Sequence, residues 1–355
     1  MQNCDDDGGP DTLRSQIAAA GSGDTIDLSQ LACSKITLTQ HHALEIHQDD
    51  LSLKGPASGA SGLTISAAFY SGVVYHTGAG TLSITDLTLS NGIFVGSNNP
   101  RGGCIYSAAN VYLSRSVVSH CRLQSTQASS PAVGGGIFTQ GDLTLASSTI
   151  TDSAITDAGS GAVARGGGAF VRSNFSSNTS TISDNFSFGQ AGGVFAASDV
   201  TIRNSTFSGN VASAVGALEI YNHGYTVVIS NSTISDNHAR NNYGARYGGI
   251  WSYSSMTITS STIAFNSAQN PIPGEGEGVY LLGASASIQS SIIAGNFNES
   301  GPADLGGHGG TLAQDSANNL ITSSTLPVPF DTIKDCPKLD VLADTGGNVK
   351  THGLL

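Results

Sequence analysis

One glutamate stands where the rest of this chain repeatedly places an aromatic ring. Glu219 follows Gly216-Ala217-Leu218, while the equivalent positions elsewhere hold Tyr75, Tyr106, Phe138, Phe170, Phe195, Trp251 and Tyr280. Around it in sequence lie Tyr221, His223, Tyr225, His238, Arg240, Tyr243, Arg246, Tyr247, Trp251 and Tyr253, the richest run of donors, acceptors and stacking groups in the chain. Such residue types suit β-elimination on a uronate polymer. An arginine neutralises the sugar carboxylate, and a tyrosine or histidine removes the C5 proton and returns one to the leaving oxygen. The catalytic candidates are therefore Glu219, His223, Tyr225, His238 and Arg246. Arg240, Tyr221, Tyr243, Trp251 and Tyr253 are substrate-binding candidates. Glycoside hydrolysis ranks lower because it needs two carboxylates flanking the bond, and only Glu275 and Glu277, two coils on, offer themselves as partners. A plain surface ion pair of Glu219 with Arg240 or Arg246 accounts for the same residues without chemistry.

Two more arginines join the substrate-binding set. Arg101, Arg165 and Arg246 each precede a core apolar residue (Ile105, Ala169, Ile250) by the same interval, so they project from one side. A guanidinium row there would pair carboxylates or sulfates of an acidic polymer; alternatively, each arginine satisfies carbonyls of its own loop. Asp5-Asp6-Asp7 and Asp49-Asp50 lack calcium-ligand spacing, so no metal or other cofactor is expected.

What must position these residues is a repeat. Its first half ends in small residues, an apolar residue and an aromatic, as in Gly135-Gly136-Ile137-Phe138 and Gly248-Gly249-Ile250-Trp251. Its second half is a Ser/Thr-rich strand closed most often by Asn, giving a column of Asn91, Cys121, Ser153, Asn185, Asn210, Asn237, Asn266 and Asn296. These lie 30, 32, 32, 25, 27, 29 and 30 residues apart, a period that means a solenoid of short strands. Three strands per coil are expected, with glycine where backbones approach and asparagine stacking as a ladder. Longer insertions fall mainly between the Asn column and the next Gly column, at 92–101, 122–133, 154–165, 238–247 and 267–275, so one edge carries most loops. Residues 11–20 read as a short capping helix with Asp11 as N-cap and Gly21 as its stop. The expected layout is one elongated domain: cap and first coils over 1–71, regular coils over 72–296 and an irregular segment over 297–355.

Composition narrows the function. The chain has 355 residues, 45 glycines, 11% charged residues and a net charge of −12. With no basic stripe, nucleic-acid binding is excluded as an expectation, and no apolar run is long enough for a transmembrane helix. No CxxC occurs among Cys4, Cys33, Cys104, Cys121 and Cys336, which argues against zinc. Cys4 and Cys33 flank the cap and are placed to staple it. For Cys104 and Cys121, a bridge within one coil and a pair of buried thiols both fit the spacing.

The alternation of Gly-Gly-x-Ile-aromatic with Ser-Thr-Ile-Ser-x-Asn resembles the short-coil right-handed parallel β-helix proteins of bacterial surfaces, and is similar to the polymorphic outer-membrane protein repeat. The segments Asp11-Thr12-Leu13-Arg14-Ser15-Gln16-Ile17-Ala18-Ala19-Ala20 and Pro337-Lys338-Leu339, with Leu342-Ala343-Asp344-Thr345-Gly346-Gly347 and Thr351-His352, look like secreted β-helix proteins of the choice-of-anchor type. The resemblance implies an all-β, right-handed parallel β-helix with an N-terminal helical cap, secreted or held at the cell surface, its signal peptide and anchor lying outside this sequence. The expected partner is an extracellular, acidic polysaccharide, engaged by a lyase; the rival expectation is a non-catalytic adhesin-type surface module.

Overall fold

Short strands with one apolar face cannot fold alone, and here each finds its partner one coil away. A computed structural model describes residues 3–57, 62–127, 130–157, 163–240, 247–269 and 276–355. It is an all-β parallel β-helix whose only helix among the described residues is Leu13–Ala19. Two compact units divide at Ser173/Asn174.

In Met1–Ser173 each coil visits the same faces in turn. An aromatic face holds Leu44–Ile46, Val74–His76, Ile105–Ser107, Ile137–Thr139 and Ala169–Val171. A leucine face holds Leu51–Lys54, Thr81–Thr85, Asn110–Ser114 and Leu143–Ala146, and a serine–threonine face holds Leu63–Ser66, Leu87–Ser90, Val117–Ser119 and Thr149–Thr151. All of these ladders are parallel and in register, so Leu53, Ile84, Leu113 and Leu145 form one buried row, and Ile65, Leu89, Val118 and Ile150 another. Period-two alternation turns these side chains inward on every strand. A fourth short strand, Ile93–Gly96, Arg122–Ser125 or Ala154–Asp157, makes a short edge that three-strand reasoning did not anticipate. Further on these strands shrink to two residues, too few to show alternation.

Asn174–Leu355 repeats the plan. Its aromatic face is Val194–Ala196, Leu218–Ile220, Ile250–Ser252, Val279–Leu282 and Leu305–His308, and its short edge is Phe186–Ser187, Val211–Ala212, His238–Ala239, Ser267–Ala268 and Phe297–Asn298. Past residue 297 the chain still adds strands to three faces, through Leu305–His308, Thr311–Leu312 and Leu320–Ile321. This coil carries Gly306 in place of the outward aromatic. An antiparallel pair, Leu339–Ala343 with Thr351–Leu354, then returns to the serine–threonine face, where Thr206 Oγ1 donates to the Lys350 carbonyl and His352 Nε2 lies 2.7 Å from Ser235 Oγ.

The turn between the serine–threonine face and the short edge is where polar groups are buried deepest. Asn185, Asn210, Asn237, Asn266 and Asn296 are all fully buried there. Each Nδ2 donates to the Oδ1 of the next asparagine at 2.8–3.0 Å, and the same Oδ1 accepts the backbone N–H of the preceding one at 3.1–3.2 Å. From Asn210 onward, the second Nδ2 hydrogen goes to a backbone carbonyl of the coil before, Ile182, Phe207, Ile234 or Ile263. Asp304 ends the row, accepting from Asn296 N and Nδ2 at 2.9 Å and from the Thr322 hydroxyl. A parallel row of serines (Ser205, Ser232, Ser261, Ser291) closes the other buried turn, each hydroxyl donating two residues back and accepting an N–H from the coil before.

In Met1–Ser173 the same column differs. Asn91 takes the left-handed turn position (φ 54°), one residue early. Gly92 fills the column, because a Cβ there would lie 2.8 Å from Cys104 Sγ. Cys104 is bonded to Cys121, and Cys4 to Cys33; Cys336 is free and exposed. At the cap, Thr12 rather than Asp11 is the N-cap, its side chain accepting from Ser15 N–H, while Asp11 adopts φ 61°. Leu13 and Ile17 seal the first coil, and Arg14 pairs with the buried carboxylate of Asp6 at 2.5 Å. Asp49 and Asp50 accept backbone N–H groups of the next coil, Ala79 and Thr81.

Replacing Asn237 with alanine strands the donors of Asn210 and two carbonyls in the interior. Chemical denaturation should show a loss of about 3 kcal/mol, the scale for leaving buried polar groups unmade. Asp304 behaves differently with pH. Burial raises its pKa above 3.8, outweighing the bonds from Thr322 and Asn296. Its contribution to stability is therefore complete below pH 3.8 and is lost as pH rises through the raised folded-state value. Asp304→Asn should abolish that decline, so the variant gains on the parent as unfolding is followed from pH 3.5 to 7.

Candidate functional site

On the aromatic face the middle residue of each strand points outward, yet it is rarely exposed. Phe195, Glu219, Trp251 and Tyr280 pair in register, and all lie within 6% exposure. The chain entering each strand folds back over the face and covers them. Val215 and Tyr247 bridge in parallel and pack on Trp251 and Tyr280, with the Tyr247 ring 5.5 Å from Trp251 and 4.3 Å from Tyr280. Glu219, in the same column, is fully enclosed. The Trp251 Nε1–H is buried with no acceptor among the described residues.

Beyond the strands, the turns toward the leucine face gather rings at the surface. Tyr253 lies 5.8 Å from Tyr221, 4.8 Å from His223 and 5.0 Å from Trp251, and Tyr221 lies 5.7 Å from Phe195. Tyr221, His223 and Tyr225 are exposed and Tyr253 half-buried. The Tyr225 backbone N–H donates to Ser254 Oγ.

His238 sits on the opposite flank of the Leu218–Ile220 strand, on the short edge between Val211 and Ser267. Its Nδ1 is 2.7 Å from Ser267 Oγ. Burial pushes its pKa below 6.5 and the nearby Arg240 charge adds to this, against a smaller pull from Asp236. A neutral imidazole at pH 7 suits a proton acceptor. Arg240 is exposed just beyond. Arg246, Tyr243 and Glu275 lie outside the described residues. Glu277 is fully buried and held in the scaffold: Oε2 accepts from Gly248 N–H and Oε1 from Asn298 Nδ2. The structure thus gathers Tyr221, His223, Trp251 and Tyr253, and sets His238 and Arg240 across the strand from them.

In Met1–Ser173, Arg101 and Arg165 share one register, separated by Val133. The segments Ala132–Val133 and Ala164–Arg165 lie against Leu123 and Ile155 of the short edge. The Arg101 guanidinium rests over the Phe138 ring, 5.0 Å from its centre. Glu45 also belongs to the outward column, paired with Tyr75. Its apolar-x-apolar signal, Leu44-Glu45-Ile46, stands one coil before Tyr75.

Among the described residues no three His, Cys, Asp or Glu side chains are grouped to hold a metal ion, and no helix is long and apolar enough to cross a membrane. Compared with known proteins, the chain matches no family model, no curated protein and no solved structure at a significant level.

Because the folded state lowers the His238 pKa, that residue contributes stability present above pH 6.5 and lost as pH falls through the depressed value. An NMR titration should place its midpoint below 6.5. His238→Gln should flatten the fall in stability between pH 7 and 5.

Proposed function

We propose that this protein is an exported or cell-surface β-helix that binds an acidic polysaccharide at the corner formed by Tyr221, His223, Tyr225 and Tyr253. The observation that carries this reading is the run of ring contacts from Phe195 through Tyr221, Tyr253 and His223, whose outer members are exposed. Pyranose rings present apolar C–H faces that pack on such rings, while phenol and imidazole groups bond the hydroxyls. Arg240 supplies a cation on the other flank of the same strand, where a polymer carboxylate can pair with it. Export is supported by the two disulfides, which persist in oxidising compartments. The bacterial-surface resemblance of the repeat agrees with that placement.

A lyase is the second reading, favoured by the neutral His238. In β-elimination a base takes the C5 proton, the C–H electrons form the C4–C5 double bond, and the O4 leaving group departs with a proton. Glu219 can take part only if it becomes accessible, because no reactant reaches an enclosed carboxylate. Binding therefore fits the geometry better than turnover.

Incubation with uronate polymers, followed by the ultraviolet absorbance of the unsaturated product, separates the two. Binding without absorbance change, weakened about tenfold by Tyr253→Ala as stacking and packing contacts are lost, is the expected result. Absorbance growth that His238→Ala, His223→Ala or Tyr225→Phe abolishes would establish the lyase instead. Absence of both binding and turnover on every polymer tested would sink the proposal.

A further inference from the structure

The aromatic stack of Met1–Ser173 has an open end. Phe170, Phe138, Tyr106 and Tyr75 stack ring on ring along the column, with centres 5.6, 5.4 and 4.7 Å apart and planes within 17°. Exposure climbs from Phe138 outward. Phe138 is fully buried, Tyr106 is half-buried and Tyr75 is 40% exposed. The covering segments explain the gradient, since the pairing of Arg165, Val133 and Arg101 runs only as far as Arg101. At the next position a ring is missing, because Glu45 pairs with Tyr75 and its carboxylate is mostly exposed. The outer face of Tyr75 is thus free, with a carboxylate beside it.

That face opens into a cavity of about 540 Å³, within the range of small-ligand sites. Along the column Glu45 pairs with Tyr75, Tyr75 with Tyr106 and Tyr106 with Phe138, over which Arg101 lies, so Glu45 and Arg101 bracket the two tyrosines that line the cavity. Phe94 and Tyr70, exposed by 40% and 62%, form its wall, and His41 stacks on Tyr70 at 4.1 Å, fixing that ring. Exposed aromatic surface of this extent in a groove marks a binding site rather than core.

We propose that this groove is a second carbohydrate site, which takes a short acidic oligosaccharide. One pyranose continues the stack on the free face of Tyr75, in the place a ring would occupy at Glu45. The Glu45 carboxylate accepts hydrogen bonds from hydroxyls of that sugar. A uronate carboxylate further along the oligosaccharide pairs with Arg101, whose guanidinium is already oriented by Phe138 and whose backbone is tied to Val133. The arrangement explains why a carboxylate and a guanidinium bracket one aromatic floor instead of pairing with each other. None of these residues belongs to the Tyr221–Tyr253 corner, so the groove binds whether or not that corner does.

The test is calorimetric titration of the full chain carrying Tyr253→Ala, which weakens the corner about tenfold, with trigalacturonate and with its methyl ester. Trigalacturonate should bind. Adding Tyr75→Ala should weaken it at least tenfold, whereas Tyr75→Phe, which keeps the ring, should stay within about twofold. Arg101→Gln should reduce trigalacturonate affinity to that of the methyl ester. Tyr75 is exposed, so an unchanged thermal midpoint shows the variants are folded. No binding in the Tyr253→Ala background overturns the groove even if the parent protein binds, since that binding then belongs to the corner. Equal affinity for acid and ester, or indifference to Tyr75→Ala, also overturns it.

Discussion

A buried turn with no water to bond to is the constraint on which this structure rests. Between the serine–threonine face and the short edge, the backbone turns inside the stack. Its N–H and C=O groups can be satisfied only by the coil above or below. Asparagine answers this with two donors and an acceptor in one small planar group. The row from Asn185 to Asn296 uses every one of them from Asn210 onward. Such a row admits one register, because slipping a coil by one residue would strand each amide and turn each apolar side chain outward. Everything on the outer faces inherits its position from that phasing. In Met1–Ser173 the corresponding places hold Gly92, Cys121 and Ser153, and there the Cys104–Cys121 bond ties the coil instead.

Features that repeat with the coil were legible in the sequence, since each coil meets the same constraint and answers with the same residue type. The parallel helix and the asparagine ladder could be read this way; the capping helix, which occurs once, was legible from the one-turn spacing of Leu13 and Ile17. Residues that deviate once were not. Asn91 looks like a ladder member but stands in the left-handed position beside it, and only the space around Gly92 reveals the shift. Thr12 caps the helix in place of Asp11 because Asp11 itself turns with positive φ. The coil after residue 297 has Gly306 and Asp304 where the repeat has an aromatic and an asparagine, so no pattern announced it.

The candidate site shows a different kind of illegibility. Alternation correctly turns Glu219 outward, and outward on a single sheet would mean solvent. The loop edge, read as projecting insertions, instead lays Val215 and Tyr247 over the face and makes it a second, outer core. Exposed rings are thereby displaced from the column itself to its margins. One such margin is the corner of Tyr221, His223 and Tyr253; another is the end of the stack at Tyr75, where the cover stops. Aromatic residues of the same column are thus structural or available to ligand according to whether a neighbouring segment reaches them.

The amides of the ladder all point the same way, so the row has a direction, and Asp304 gives it an end. An asparagine at that place would present amide N–H donors to whatever came next. A carboxylate only receives, from Asn296 on one side and Thr322 on the other. It passes nothing onward. The amide relay therefore stops inside the stack, at a group that takes the Thr322 hydroxyl in place of a further amide, while the strands around it continue to Leu320–Ile321.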